Sequence, residues 1–209
     1  MSTEPGLRER KKQRTRETIA RAARELFAER GYHATTLPEI AEAADVSTRT
    51  IFAYFPSKED ILFSEFPLMQ AALAQALADR PEGEDALETV RAFILSIVAR
   101  KRSDIDERIG LCINNDDTLR HHLRARIAQL EEVIAPAIAQ DLGAPADDPR
   151  AKLVAASLTA AFNLLSERGD DPRPKRRKNE AEVAAHIDPI ITFLRGGLEA
   201  LKAPPADTR

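Results

Sequence analysis

The stretch TTLPEIAEAADVSTRTIFAYFPSKEDIL, Thr35–Leu62, decides the fold. Thr36-Leu-Pro-Glu39 is a T-x-x-E capping box, in which the threonine hydroxyl accepts from the third helical N–H and the glutamate reaches back to the cap. A helix therefore starts at Thr36, with Pro38 in the first turn where its missing N–H is harmless and Ile40, Ala41 and Ala44 as its inner face. Asp45-Val46 must make a tight turn, with Asp45 the candidate for a left-handed conformation. Ser47 caps a second short helix from Thr48 to Phe55, whose Ile51 and Phe55 face inward at i, i+4. Pro56 stops it, and Ser57 opens another. Two helices of about two turns joined by a three-to-four-residue turn form a helix-turn-helix.

Upstream, Ile19, Ala23, Leu26 and Phe27 mark an amphipathic helix from about Arg14 to Glu29, with Thr15 expected to cap it and Gly31 expected in the left-handed terminal position. Downstream the periodicity lengthens. Helices are expected from Ser57 to about Asp79, bent at Pro67; from about Glu84 to Lys101; and from Ser103 to about Asn114. Others are expected from Asp116 or Asp117 to about Leu142, kinked at Pro136, and from Asp148 to Arg168. A polar loop, Asp170 to Asn179, leads to a last helix that Pro189 bends or splits and a loose tail from Ala203 to Arg209. No alternating β-branched run marks a strand. The expectation is an all-α chain with a helix-turn-helix domain over 1–60 and a helical domain over 61–209.

Composition supports a soluble globular protein: 209 residues, 43% hydrophobic, 31% charged, 8 Gly, 13 Pro and no Trp. Cys112 stands alone, so no intrachain disulfide can form, and no signal peptide is evident. A cytoplasmic location is expected. The longest uncharged stretch, Leu153 to Ser166, is 14 residues, short of the roughly 20 needed to span a bilayer. The net charge is −3, yet residues 1–16 carry six basic against two acidic side chains. Such a basic front suits a polyanion and also fits a solvated tail.

The same stretch resembles the DNA-binding domain of the TetR family of bacterial transcriptional regulators. Phe27, Gly31-Tyr32, Thr35-Thr36, Ile40-Ala41, Val46-Ser47, Thr50, Tyr54-Phe55 and Lys58 fall at the family's spacing. The resemblance implies about nine helices, a homodimer, and a small-molecule cavity in the C-terminal domain. The helix capped by Ser47 would enter a major groove, with Thr48, Arg49 and Thr50 as base readers and Ala53 one turn on. Thr36 and Lys58 sit at helix starts where a phosphate is favoured, and the resemblance implies that the Tyr54 hydroxyl reaches another. Three departures stand out, one of them Pro67, within the helix that normally links the family's two domains. Asp45 replaces a common Gly, and Phe52 stands where many members carry a phosphate-bonding Tyr, so one backbone contact is expected to be missing and the ring to pack.

The candidate ligand-lining residues are Phe93, Cys112, Asn115, Phe162 and Asn163, polar and aromatic groups amid apolar helices. Cys112, between Leu111 and Ile113, reads as a buried small hydrophobe. The Ala-rich helix at 148–168 and the Ile/Leu stripe of the last helix are the expected dimer surface. Asp117 and His121 share a helix face, but two ligands do not make a metal site, and no metal or cofactor is expected. No nucleophile motif, glycine-rich phosphate loop or paired carboxylates point to an enzyme. The functional expectation is a dimeric repressor that binds a pseudo-palindromic double-stranded operator and is released by a small-molecule effector. An activator, or a regulator that answers to no ligand, stays open, as does a helical interaction module or enzyme that has lost DNA binding.

Overall fold

A computed structural model describes residues 6–100, 103–166 and 180–202. Among them every regular element is an α-helix: α1 Leu7–Arg30, α2 Leu37–Ala43, α3 Thr48–Tyr54, α4 Lys58–Leu62, α5 Phe66–Ala78, α6 Ala86–Ala99, α7 Asp104–Asn114, α8 Asp117–Ala128, α9 Glu131–Asp141, α10 Pro149–Ser166 and α11 Glu180–Lys202. The polar loop at 170–179 and the tail at 203–209 lie outside the described residues.

The described residues form two compact units, one of 6–65 with 103–123, the other of 66–100 with 124–166 and 180–202. The first holds α1 to α4 and also α7, which the sequence reading placed in the second domain. Its core is Ile19 and Phe27 of α1, Ile40 of α2, Ile51 of α3, Phe55 and Ile61, each at most 1% exposed. The N-terminus of α7 is closed by a capping box between Ser103 and Asp106. Asp106 also pairs with Arg24 of α1, and Arg108 donates to the Ala28 carbonyl at 3.3 Å. These long-range bonds have no local sequence signature.

In the second unit α9 lies at the centre. Its Ile134 and Ile138 belong to one buried cluster with Leu73 and Leu77 of α5, Leu87 of α6, Ala155 and Leu158 of α10, and Ile191 and Leu198 of α11. Ion pairs tie α11 to α6: Arg91 to Asp188 at 2.6 Å, and Arg195 to Asp85 at 2.9 Å and Glu88 at 3.3 Å. Asp85 also caps α6 through the Glu88 N–H. Arg80 and Asp141, mostly buried, pair at 2.8 Å, and the second Asp141 oxygen accepts from the Ala86 N–H.

Several boundaries differ from expectation. The first helix begins at Leu7, seven residues before Arg14, so Thr15 lies inside it and its hydroxyl turns back to the Lys11 carbonyl at 3.1 Å. Gly31 does take a positive φ of 87°, but with ψ of 161° it is extended rather than left-handed helical. The expected helix from Ser57 to Asp79 is two helices. Pro67, the second residue of α5, has no N–H to offer the Phe63 carbonyl, and the chain turns at Phe63–Glu65. The expected long helix to Leu142 also divides, because Gln129 and Leu130 bond back three residues, to Arg126 and Ile127, and tighten the turn. Pro136 and Pro189 each lie within a continuous helix.

Candidate nucleic-acid interface

The helix-turn-helix is held as its sequence dictates. The Thr36 hydroxyl accepts from the Glu39 N–H at 3.4 Å, and the Glu39 carboxylate accepts from the Thr36 N–H at 2.8 Å. The bonds that the carboxylate accepts from the Thr36 N–H and from the Thr36 hydroxyl hold the Glu39 carboxyl below its ordinary range. At the turn Asp45 has φ of 52°. The Val46 N–H donates to the Ala41 carbonyl at 2.9 Å and the Asp45 N–H to Glu42 at 3.1 Å, the paired bonds of a Schellman cap with aspartate in the position glycine usually fills.

The recognition helix α3 starts where the Ser47 hydroxyl accepts from the Thr50 N–H at 3.0 Å. Ile51 and Phe55 anchor it in the core, leaving Arg49, Phe52 and Ala53 exposed and Thr48, Thr50 and Tyr54 half-buried. Ser47 and Thr50 share a hydroxyl bond of 2.8 Å. Thr36 is exposed at the head of α2. The candidate readers and the Thr36 cap therefore belong to one small framework of α2, the turn and α3.

Two residues depart from the sequence reading. Lys58 is turned into its own domain: its ammonium donates to the Tyr32 and Thr35 carbonyls, each at 2.9 Å, and lies 4.1 Å from the Tyr32 ring centre. At most one of its three N–H groups is left for a phosphate. Phe52, expected to pack, is 55% exposed, because its neighbour Ile51 takes the inward direction.

One contributor was missed altogether. Arg16 donates to the Tyr54 carbonyl at 3.0 Å and stacks 4.3 Å over the Phe55 ring, so α1 grips the C-terminal end of α3. Nothing local in the sequence signals a contact 38 residues apart. Behind the site, Tyr32 donates to Glu59 at 2.6 Å. Burial and that carboxylate push the Tyr32 phenol far above its ordinary range. For Glu59, burial is the largest influence and acts against ionisation, but the bonds from Tyr32, its own backbone N–H and Ser57 together outweigh it and the carboxyl stays below its usual range.

Residues 19–64 match the family model for bacterial regulatory proteins of the tetR family, and residues 84–168 match one described as the MftR C-terminal domain. The transcriptional regulator TcmR of Streptomyces glaucescens is 33% identical over 172 residues, covering 78% of this chain and 76% of TcmR. The chain belongs to the TetR family. It is a helix-turn-helix transcriptional regulator, not an enzyme. The repressor NicS of Pseudomonas putida is 32% identical over 99 residues, and the match spans about half of each chain. Among solved TetR-like structures, Thermus thermophilus FadR in complex with lauroyl-CoA covers 93% of this chain and 98% of its own, at 25% identity and a TM-score of 0.57. Salmonella enterica GusR, at 22% identity and the same TM-score over 94% of this chain, shares the fold.

The candidate ligand residues are divided by the TetR-like architecture. Phe93, Phe162 and Asn163 belong to the C-terminal unit and are half-buried; Cys112 and Asn115 belong to the N-terminal unit, and Cys112 is only half-buried rather than enclosed. The Asn163 side-chain oxygen is buried with no hydrogen-bond partner among the described residues. A separate concavity of about 450 Å³, lined by Leu77, Arg80, Glu84, Asp85, Gln140 and Asp141 among others, includes none of the five. Asp117 takes Arg120 as its partner rather than His121. Among the described residues no group of three His, Cys, Asp or Glu is placed to hold a metal, and no helix is long and apolar enough to cross a membrane.

Proposed function

We propose that this regulator is a homodimeric cytoplasmic repressor that reads a pseudo-palindromic operator through α3 and is released by a small molecule. The observation that carries the DNA reading is Arg49, exposed in the first turn of a helix whose opposite face is fixed in the core. An arginine so held matches guanine bidentately in the major groove, and Thr48 and Thr50 beside it offer methyl groups to thymine. Ser47, Ala53 and Tyr54 complete the presented surface, and Thr36 takes a phosphate.

The dimer reading rests on α10 and α11. Leu153 is 62% and Phe193 77% exposed, and Ala160, Pro189, Gly196, Gly197 and Ala200 extend the same apolar surface. A methyl group built on Gly196 or Gly197 would meet nothing within 4 Å among the described residues. Each glycine costs about 1 kcal/mol in a helix interior relative to alanine, with no return inside one protomer. A second copy whose helices approach closely supplies the reason.

For release, Phe93, Phe162 and Asn163, whose side-chain oxygen has no hydrogen-bond partner among the described residues, are the ligand-facing groups of this reading. The bound lauroyl-CoA of FadR makes fatty acyl-CoAs the first effector class to try. Because α7 is joined in sequence to α6 and α8 but packs on α1, a displacement of either flanking helix pulls on the helix-turn-helix.

Selection of duplexes from a random pool, followed by gel shifts of the recovered sequence with acyl-CoAs added, tests the whole reading. The expected result is a two-fold symmetric sequence, bound by a dimer and lost on adding effector. Phe193→Asp should give monomers that no longer shift the duplex. Recovery of no consensus, or binding by a stable monomer, overturns it; increased occupancy with ligand would favour an activator.

A further inference from the structure

The first turns of α1 project beyond the domain they belong to. Residues 6–14 are all exposed, and the first buried side chain is Ile19. From Leu7 to Arg14 the helix extends about 12 Å at 1.5 Å per residue. Five of these eight residues are Arg or Lys, and Glu9 is the one acid.

The distribution around the helix is more informative than the count. Along α1 the buried ladder Ile19, Ala23, Phe27 continues backwards, four residues at a time, as Thr15 and Lys11. The adjacent ladder is Arg16, Lys12, Arg8. Apart from Leu7 at its tip, 65% exposed, the stripe that packs the core is therefore cationic where it passes the edge of the domain. An apolar overhang would suit a protein partner; this one suits a polyanion.

Among the described residues its own chain offers little compensation. Glu9 lies 3.9 Å from Lys12 with both side chains more than 60% exposed, a pair of small worth. Gly6 supplies no capping side chain, and cations in the first turn oppose the helix dipole. The position of the overhang is set by Arg16, whose guanidinium holds the Tyr54 carbonyl at the end of the recognition helix. Lys12 and Arg8 are one and two turns further along that same ladder, so the cationic stripe is continuous with the DNA-reading surface.

We infer that Arg8, Lys11 and Lys12 form a second DNA contact, gripping the sugar–phosphate backbone that flanks the half-site read by α3. This rests on the DNA-binding reading above and extends it. B-DNA carries one charge per about 1.7 Å of axis, so a 12 Å cationic stripe has several phosphates within its length. The contact supplies affinity without base preference.

The test uses the full-length protein and two 40-bp duplexes, one recovered by the wild type from a random pool and one of shuffled sequence, titrated across salt. Arg8→Gln, Lys11→Gln and Lys12→Gln together keep helix propensity nearly constant, so the melting curve is expected to match the wild type. The slope of log K against log salt should become shallower by about 2 to 3 for each protomer bound, at roughly 0.9 per phosphate, while the ratio of affinities for the two duplexes is retained. Arg10→Gln with Arg14→Gln, on the opposite face, should change the slope by less than half as much. An unchanged slope in the triple variant, or an equal fall in the opposite-face control, overturns the stripe while leaving the recognition helix in place. Failure of the wild type to bind either duplex at low salt overturns both.

Discussion

Replacing Asp45 tests the turn on which the recognition helix depends. Its φ of 52° lies where an L-residue costs about 1–2 kcal/mol, with aspartate at the lower end because its short polar side chain bonds locally. Asp45→Gly removes that strain but gives the unfolded chain more freedom, worth about 0.4–1 kcal/mol in the opposite direction. The net expectation is a gain of up to about 0.6 kcal/mol, or about 1–2 °C in melting temperature for a chain of this size. Asp45→Asn keeps the side chain's tolerance of this conformation and should leave stability unchanged, whereas Asp45→Val, β-branched, should lose about 2 kcal/mol. DNA affinity separates a second effect. Asp45 is exposed beside α3, and a unit charge about 8 Å from a phosphate is worth about 0.5 kcal/mol in water before screening. Both Asn and Gly should therefore tighten binding by up to about two-fold per protomer, with Gly alone also raising the melting temperature. Thermal denaturation and fluorescence-anisotropy titration of the three variants read the two effects separately. A Gly variant no more stable than the Asn variant, with a Val variant that melts like the wild type, would refute the strain argument.

Arg49→Ala should lose about 1–3 kcal/mol of discrimination at one base pair of the selected operator, with an unchanged melting curve because the side chain is exposed; equal losses on a shuffled duplex would argue against base reading. Lys58→Ala should lower the melting temperature as well as the affinity, since two backbone carbonyls lose a charged donor, each bond worth about 1.5–3 kcal/mol; a variant that binds weakly yet melts normally would return Lys58 to a phosphate role. Phe52→Ala should weaken DNA binding without destabilising the fold, because the ring is 55% exposed; stability loss measured by chemical denaturation would show that the ring packs after all. Acid should loosen α7 from α1. Burial disfavours the Asp106 anion, but the Ser103 bonds and Arg24 hold its carboxyl below the usual range, and the Leu119 N–H and His33 do the same for Asp116. A carboxyl depressed in the folded state contributes stability above about pH 4 that is lost as pH falls through its folded value. Hydrogen exchange in α7 should rise in that acid range before exchange in α9 does, and Asp106→Asn should flatten the response.

How much was legible in the sequence follows the range of the forces involved. The Thr36–Glu39 box, the Ser47 cap, the left-handed Asp45 and the inward Ile51 and Phe55 are set within four residues of themselves, and each is found where the sequence puts it. Family spacing across the same stretch led directly to a DNA-binding regulator. The start of α1 was obscure because a basic, uncapped segment has no amphipathic signature. The break at Gln129–Leu130 carries neither glycine nor proline. Lys58 looked like a phosphate ligand because a helix start beside a lysine is all that local pattern records; only folding brings the Tyr32 and Thr35 carbonyls to its ammonium.

The sequence by itself determined the capped helices α2 and α3, the turn between them, and, Phe52 apart, the residues presented on α3. These are contacts of a chain with its own next turn. Only the tertiary structure decided that α7 packs on α1, that Arg16 secures the end of α3, and that Phe52 and Phe193 are left in solvent. Those outcomes depend on which distant surfaces meet, and burial and ion pairing act between neighbours in space that need not be neighbours in the chain.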